Sequence, residues 1–343
     1  MSAQALDGFL VTDILNVRYI SGFTGSYAVC LIAADSAFLL TDSRYAQQAV
    51  EEAPDFRLEL VEYRWVAALK ALIERLVLKS IGFEGHSMSH RDWTELSAPQ
   101  LTDAGDPIGR LRWVKDELEL AAIMEAVRVA DLAYDHISEF IEPGMVERHV
   151  AVELDCFVRK AGAEKEAFDA LVASGPGSAL PHGKPTDRRI AEAELILLDF
   201  GAKWQGYHSD ITRTVILGKP EPKQQEIYDI VLEAQAAGIG AIRPGIAGGE
   251  VDAAARKVIE DRGYGEYFGH GLGHGLGLDV HDGRILAKNS EIILEAGMVV
   301  TVEPGIYIPG WGGVRIEDDV LVAKSGSEVL TRSPKTISLE RSR

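Results

Sequence analysis

The chain has 343 residues, 53 of them acidic and 35 basic, for a formal net charge of −18. Such an acidic balance disfavours nucleic acid and anionic membrane surfaces as partners. The 46% hydrophobic content can bury a sizeable core, and the length suggests two domains. From the amino terminus, DGFLVTD, YAVCLIAA and AFLLTD read as strands, YAQQAVEEA as a helix and RLELVEY as a strand. Residues 65–78 form an amphipathic helix, SIGFEG a strand and HRDWTELSAPQL a helix. Alternation of this kind describes a small α/β domain. Pro107 and Gly109 punctuate its end, so domains of residues 1–110 and 111–343 are expected. The first residues lack a basic, apolar leader, and no apolar run approaches the ~20 residues of a membrane span. Cys30 and Cys156 are the only cysteines, so a disulfide scaffold is not expected and a cytoplasmic location fits.

The second part has a different rhythm. A long helix starts near Asp116 and stops at Pro143-Gly144, a second covers about Val146–Lys160, and strands follow. The order then recurs. Pro222 opens a helix that stops at Pro244-Gly245, another spans about Glu250–Arg262, and strands close the chain. Two similar halves are expected, each ending in a hairpin that carries carboxylates.

In the first hairpin LILLDF and ITRTVIL flank KWQG, and a turn centred between Trp204 and Gln205 sets Asp199 opposite Asp210. In the second, MVVTVE and VRIEDDVLVA flank a turn centred on Gly310, which sets Glu303 opposite Glu317. Carboxylates facing each other at ~5 Å repel unless a cation lies between them. Any one of these acids alone reads as a turn, a cap or a solvated strand end. Two mirrored pairs inside buried-looking hairpins do not. The run GHGLGHGLGLDVHD adds His270, His274 and His281 in a ladder of alternating glycines, where bare backbone lets another strand or a substrate approach. It is not a dinucleotide fingerprint, because no third glycine falls at the needed offset. Carboxylates plus an imidazole suit two divalent ions of the manganese, cobalt, zinc or iron kind.

These motifs, together with LPHG around His182 and the early NVRYISGFTGS, resemble the creatinase/prolidase/methionine aminopeptidase superfamily across essentially the whole chain. The resemblance implies an α+β fold: a pita-bread catalytic domain of two similar halves behind a smaller creatinase-type α/β domain. It implies that Asp199 holds one metal, that Asp210 and Glu317 bridge two, and that His274 and Glu303 hold the other, with manganese first among the candidates. His182 and His281 are implied at the scissile carbonyl, and His270 near the substrate's proline. Attack by a metal-bridging hydroxide, with Glu303 as proton shuttle, would split an Xaa-Pro bond. A homodimer is implied as well.

Within the superfamily, methionine aminopeptidases usually lack the amino-terminal domain and creatinase lacks the metal set, which leaves prolidase and aminopeptidase P. Arg284, near the place where archaeal prolidases carry an arginine, resembles a clamp for a dipeptide's carboxylate and favours the dipeptidase reading. Arg315 is expected to fix Glu303 or Glu317. Tyr307 and Tyr207 are candidates for the site wall, with core packing the safer reading of both. A two-metal phosphoesterase and a metal-free binding scaffold are the readings from other classes.

Overall fold

A computed structural model of the chain describes residues 6–283 and 285–339. Two compact units divide after Arg112. The first holds β1 (Gly8–Val11), α1 (Ile14–Ser21), β2 (Val29–Ala33), β3 (Ala37–Asp42), α2 (Ala46–Glu52), β4 (Arg57–Val61), α3 (Trp65–Leu76), β5 (Ile81–Phe83), α4 (His90–Leu96), β6 (Leu101–Asp103) and α5 (Pro107–Arg112). Its six strands form one mixed sheet in the order β4-β3-β2-β1-β5-β6. The α3 stripe of Val66, Leu69, Leu72 and Ile73 packs on Leu10, Leu31 and Leu40 of that sheet. Helices α1 and α5 fall where the sequence suggests a strand end and a break. Asp13 caps α1 by accepting from the Leu15 and Asn16 N–H groups.

The second unit runs α6 (Glu117–Phe140), α7 (Glu147–Lys160), β7 (Lys165–Glu166), β8 (Leu171–Ser174), β9 (Leu195–Phe200), β10 (Ala202–Trp204), β11 (Tyr207–His208) and β12 (Ile211–Leu217). It continues with α8 (Pro222–Ala241), α9 (Gly248–Asp261), β13 (Val299–Val302), β14 (Gly305–Ile308), β15 (Gly312–Arg315), β16 (Asp318–Val322), β17 (Ser327–Val329) and β18 (Ser338–Leu339). Asp116 starts α6 with a capping box completed by Glu119. The expected repetition is present in detail. Gly144 and Gly245 end the first helix of each half with φ of 88° and 86°, and their N–H groups donate to Ile190 and Leu294 carbonyls at 2.7 and 2.8 Å. Each half has its own core: α6 and α7 cover β8, β9 and β12, and α8 and α9 cover β13 to β16.

The hairpin registers decide where the acids lie. β9 pairs with β12 so that Asp199 faces Thr212, not Asp210 as the sequence suggests. The turn is the two-residue Gln205-Gly206, both at positive φ, one residue beyond the expected centre. A one-residue shift of the turn moves the register by two, and a strand repeats every two residues, so Asp199 and Asp210 still reach one face. In the second hairpin Val302 faces Asp318 and Gly305 faces Arg315, a register centred on Gly310. Continued between the two ladders, it sets Glu303 across from Glu317. The glycine ladder is not a strand with alternating faces. Its β-pairing is confined to isolated bridges, Gly273 to Leu286 and Gly275 to Val300, and backbone hydrogen bonds such as Thr301 N–H to the His274 carbonyl at 2.9 Å and Glu303 N–H to the Leu272 carbonyl at 2.8 Å hold it to the second hairpin. The close approach expected of its glycines is present, since a Cβ on Gly273 would lie 2.0 Å from the Thr301 carbonyl oxygen.

One carboxyl outside the site sets a pH dependence. Asp155 on α7 is pushed up to about 6, first by partial burial and then by the charges of Glu166 and Asp169. A raised carboxyl favours the fold when protonated, so its ionised form costs stability above pH 6 and the cost fades as pH falls toward 4. Because the group is partly solvated, about 1 kcal/mol is expected. Asp155→Asn should therefore raise the Tm at pH 8 and leave it unchanged at pH 4, as read by thermal melts at both.

Candidate active site

β12 brings up the first half's contribution. Asp210, Thr212 and Thr214 sit two apart and share a face. The Thr212 hydroxyl donates to Glu317 Oε2 at 2.5 Å and accepts from Arg315 Nε at 2.9 Å. The Glu317 N–H donates to the Thr212 carbonyl at 3.1 Å, and the Asp210 N–H donates to Asp319 Oδ2 at 3.0 Å. The halves are thus stitched along β12 and the residue before it. His274 uses Nδ1 on the Gly275 carbonyl at 3.0 Å, which turns Nε2 toward Asp210 Oδ2 at 3.6 Å and Glu303 Oε1 at 3.4 Å. Ligand atoms of Asp210, His274 and Glu317 lie within 4.8 Å of one another.

All five acid and imidazole side chains line one cavity of about 710 Å³, together with His182, His270, His281 and Arg315. That volume is in the ~300–1,000 Å³ range of small-molecule pockets. Glu303 is pushed up to about 7 by burial and then by Asp199, against the pull of Arg315. Burial and neighbouring acids also raise Asp210 and Glu317 well above their usual range. Asp199 Oδ1 and Asp210 Oδ1 are buried without a hydrogen-bond partner. Mutually repelling carboxylates with unpaired inward oxygens are a poor arrangement for protons and a good one for cations, which would bring these acids back down. Burial holds His274 below its ordinary pKa, in the neutral form that ligates metals. The residues therefore fit a divalent metal centre.

The model of metallopeptidase family M24 matches residues 121–324, and that of the creatinase/prolidase N-terminal domain matches residues 1–114. The chain belongs to metallopeptidase family M24. It is a hydrolase with the pita-bread catalytic fold behind a creatinase-type domain, similar to Xaa-Pro dipeptidases. The solved structure named Xaa-Pro dipeptidase from Bacillus anthracis superposes with a TM-score of 0.95 at 42% identity, covering 98% of this chain and 96% of that one. An X-Pro aminopeptidase from Thermotoga maritima superposes at 0.89 with 38% identity, covering 97% of each. The uncharacterized peptidase YqhT of Bacillus subtilis is 44% identical over 97% of this chain and 95% of its own length.

In this M24 site Arg315 departs from expectation. Its Nη2 bonds Asp199 Oδ2, its Nη1 donates to the Tyr307 hydroxyl at 2.9 Å and the Pro181 carbonyl at 3.2 Å, and it fixes neither Glu303 nor Glu317 directly. β15 returns it to the Asp199 side because Arg315 faces Gly305 rather than an acid. Tyr307 takes the core position, the safer expectation, and does not line the cavity as a substrate contact. It stands behind the cavity wall, 7% exposed, with its hydroxyl between Arg315 and His270 Nε2 at 2.9 Å. His270 spends Nδ1 on the Gly271 carbonyl, and burial lowers it to about 4. Tyr207 hydrogen-bonds Glu119. Arg284 lies outside the described residues. Thr212, Asp319 and Thr301, whose hydroxyl donates to Glu303 Oε1 at 3.3 Å, are site residues that sequence reasoning missed. The spacing of two from Asp210 to Thr212 and Thr214 was the available signal for Thr212.

Proposed function

We propose that the chain is an Xaa-Pro dipeptidase. It would cleave the bond before proline with two divalent metal ions, manganese first among cobalt, zinc and iron, held by Asp199, Asp210, His274, Glu303 and Glu317. The observation that carries this is the cluster of three buried acids, the partly buried Glu303 and a neutral imidazole around one cavity, with two buried carboxylate oxygens unpaired. Bound there, such ions lower the pKa of water and polarise a carbonyl. The chain's own residues do the rest. His281, whose ring centroid lies 4.5 Å from that of His274, and His182 stand on the cavity wall to steady the carbonyl oxygen. Glu303, positioned by Thr301, carries a proton to the proline nitrogen as it leaves. That nitrogen has no N–H in the substrate, so its pocket needs shape rather than an acceptor. The proposal includes a cytoplasmic homodimer, in keeping with the free Cys30 and Cys156.

Proline release from Ala-Pro, set against cleavage of Ala-Pro-Ala, tests the reading. Dipeptide preference supports it. Strong tripeptide preference favours aminopeptidase P, the reading that the Thermotoga relative's name suggests. Glu303→Gln should cut turnover by roughly 10²–10⁴ through lost proton transfer, and further if an ion is lost. Activity and metal content are to be measured on the same sample, and full activity with both ions retained contradicts the role.

A further inference from the structure

The cavity wall is dominated by negative charge, and its cations are few. Arg315 is committed to Asp199, Thr212, Tyr307 and the Pro181 carbonyl. Among the described residues lining the cavity, Lys184 is the one lysine or arginine that makes no ion pair with a described residue. It is exposed on a stretch pinned at both ends. Upstream, Arg315 holds the Pro181 carbonyl and the Gly183 N–H donates to the Leu180 carbonyl at 3.0 Å. Downstream, the Thr186 N–H and hydroxyl donate to Glu147 Oε2 at 3.0 and 2.6 Å, while Glu147 Oε1 takes both donors of Ser174. Glu147 is only 2% exposed, so the anchor is firm. A pinned backbone two residues from His182 thus presents an uncommitted ammonium to the substrate space.

We propose that Lys184 determines specificity by pairing its ammonium with the free C-terminal carboxylate of a two-residue substrate. This rests on the Xaa-Pro reading above and names how that site selects length. A carboxylate entering a wall of acids is disfavoured unless a cation receives it, and a peptide that continues past proline has a neutral amide at that place and carries its carboxylate further out. Lysine acts here as a point charge, so arginine should substitute in part.

The test compares Ala-Pro with Ala-Pro-amide on metal-loaded enzyme, for wild type, Lys184→Met, Lys184→Arg and Arg284→Ala. The ratio of kcat/KM for dipeptide over amide is expected to fall about tenfold in K184M, equivalent to about 1.4 kcal/mol, and to recover in K184R. Added salt should lower the wild-type ratio and not that of K184M. Unchanged selectivity in K184M overturns the inference while leaving the Xaa-Pro reading intact. The same holds for a tenfold loss seen in R284A instead. Failure of the wild type to cleave either compound overturns the proposed function itself, and this inference with it. Thermal melts check that the substitutions leave the fold unchanged.

Discussion

Asp210→Asn is expected to lower Xaa-Pro cleavage by roughly a thousandfold or more, because the ions' polarisation and water activation supply several kcal/mol of the barrier reduction. Asp210 lies within 4.8 Å of both His274 and Glu317 at its ligand atom, so its loss opens the site from the middle. The same change should stabilise the metal-free protein. Burial, followed by Glu317 and Asp199, raises the Asp210 carboxyl well above its usual range. A raised acid costs stability once pH exceeds its unfolded value, so at pH 8 removing the charge relieves repulsion. Without metal the variant should melt a few degrees above wild type. With manganese the order should reverse, since wild type gains binding free energy and the variant gains little. Melts with and without chelator read both arms. A variant that is destabilised without metal would mean that Asp210 is held by something other than a cation site.

The largest loss of stability is expected from Arg213→Met. Arg213 is 1% exposed, on the opposite face of β12 from Thr212. Its guanidinium pairs with Asp318 at 2.8 Å and donates to the carbonyls of Thr212, Glu317, Ser333 and Pro334. Methionine fills the space but leaves those acceptors dry. Breaking a buried pair costs about 3–5 kcal/mol. Lys335 and Gln235 still reach Asp318, which puts the expected value at the lower end. For a unit of this size that corresponds to a fall in Tm of roughly 6–12 °C. Metal affinity should fall as well, because the Glu317 peptide loses its donor. A Tm within two degrees of wild type would contradict this account of the strand.

The acids of the site were legible because each sits in or directly beside a short apolar strand, where an unpaired charge makes no sense without a partner. Gly310 centres the second hairpin as its letters suggest. The first hairpin was misread by one residue, since Gln205 takes a left-handed conformation that glutamine does not advertise. Period-two geometry rescued the conclusion. What stayed hidden was held through space. Arg315 reaches Asp199 from 116 residues away, Asp319 supports Asp210 from 109, and Glu147 pins Thr186 across 39. No local pattern marks such partners. The glycine ladder suggested a strand, whereas its glycines serve close backbone approach and its chain bends between single bridges.

The most direct measurement is of bound cations. Protein stripped with chelator, dialysed against manganese and assayed for metal per chain should hold two ions. Asp210→Asn should hold fewer, and diffraction at the manganese edge should find both ions among Asp199, Asp210, His274, Glu303 and Glu317. Chains that take up no manganese, cobalt, zinc or iron, or that carry ions only elsewhere, would contradict the account.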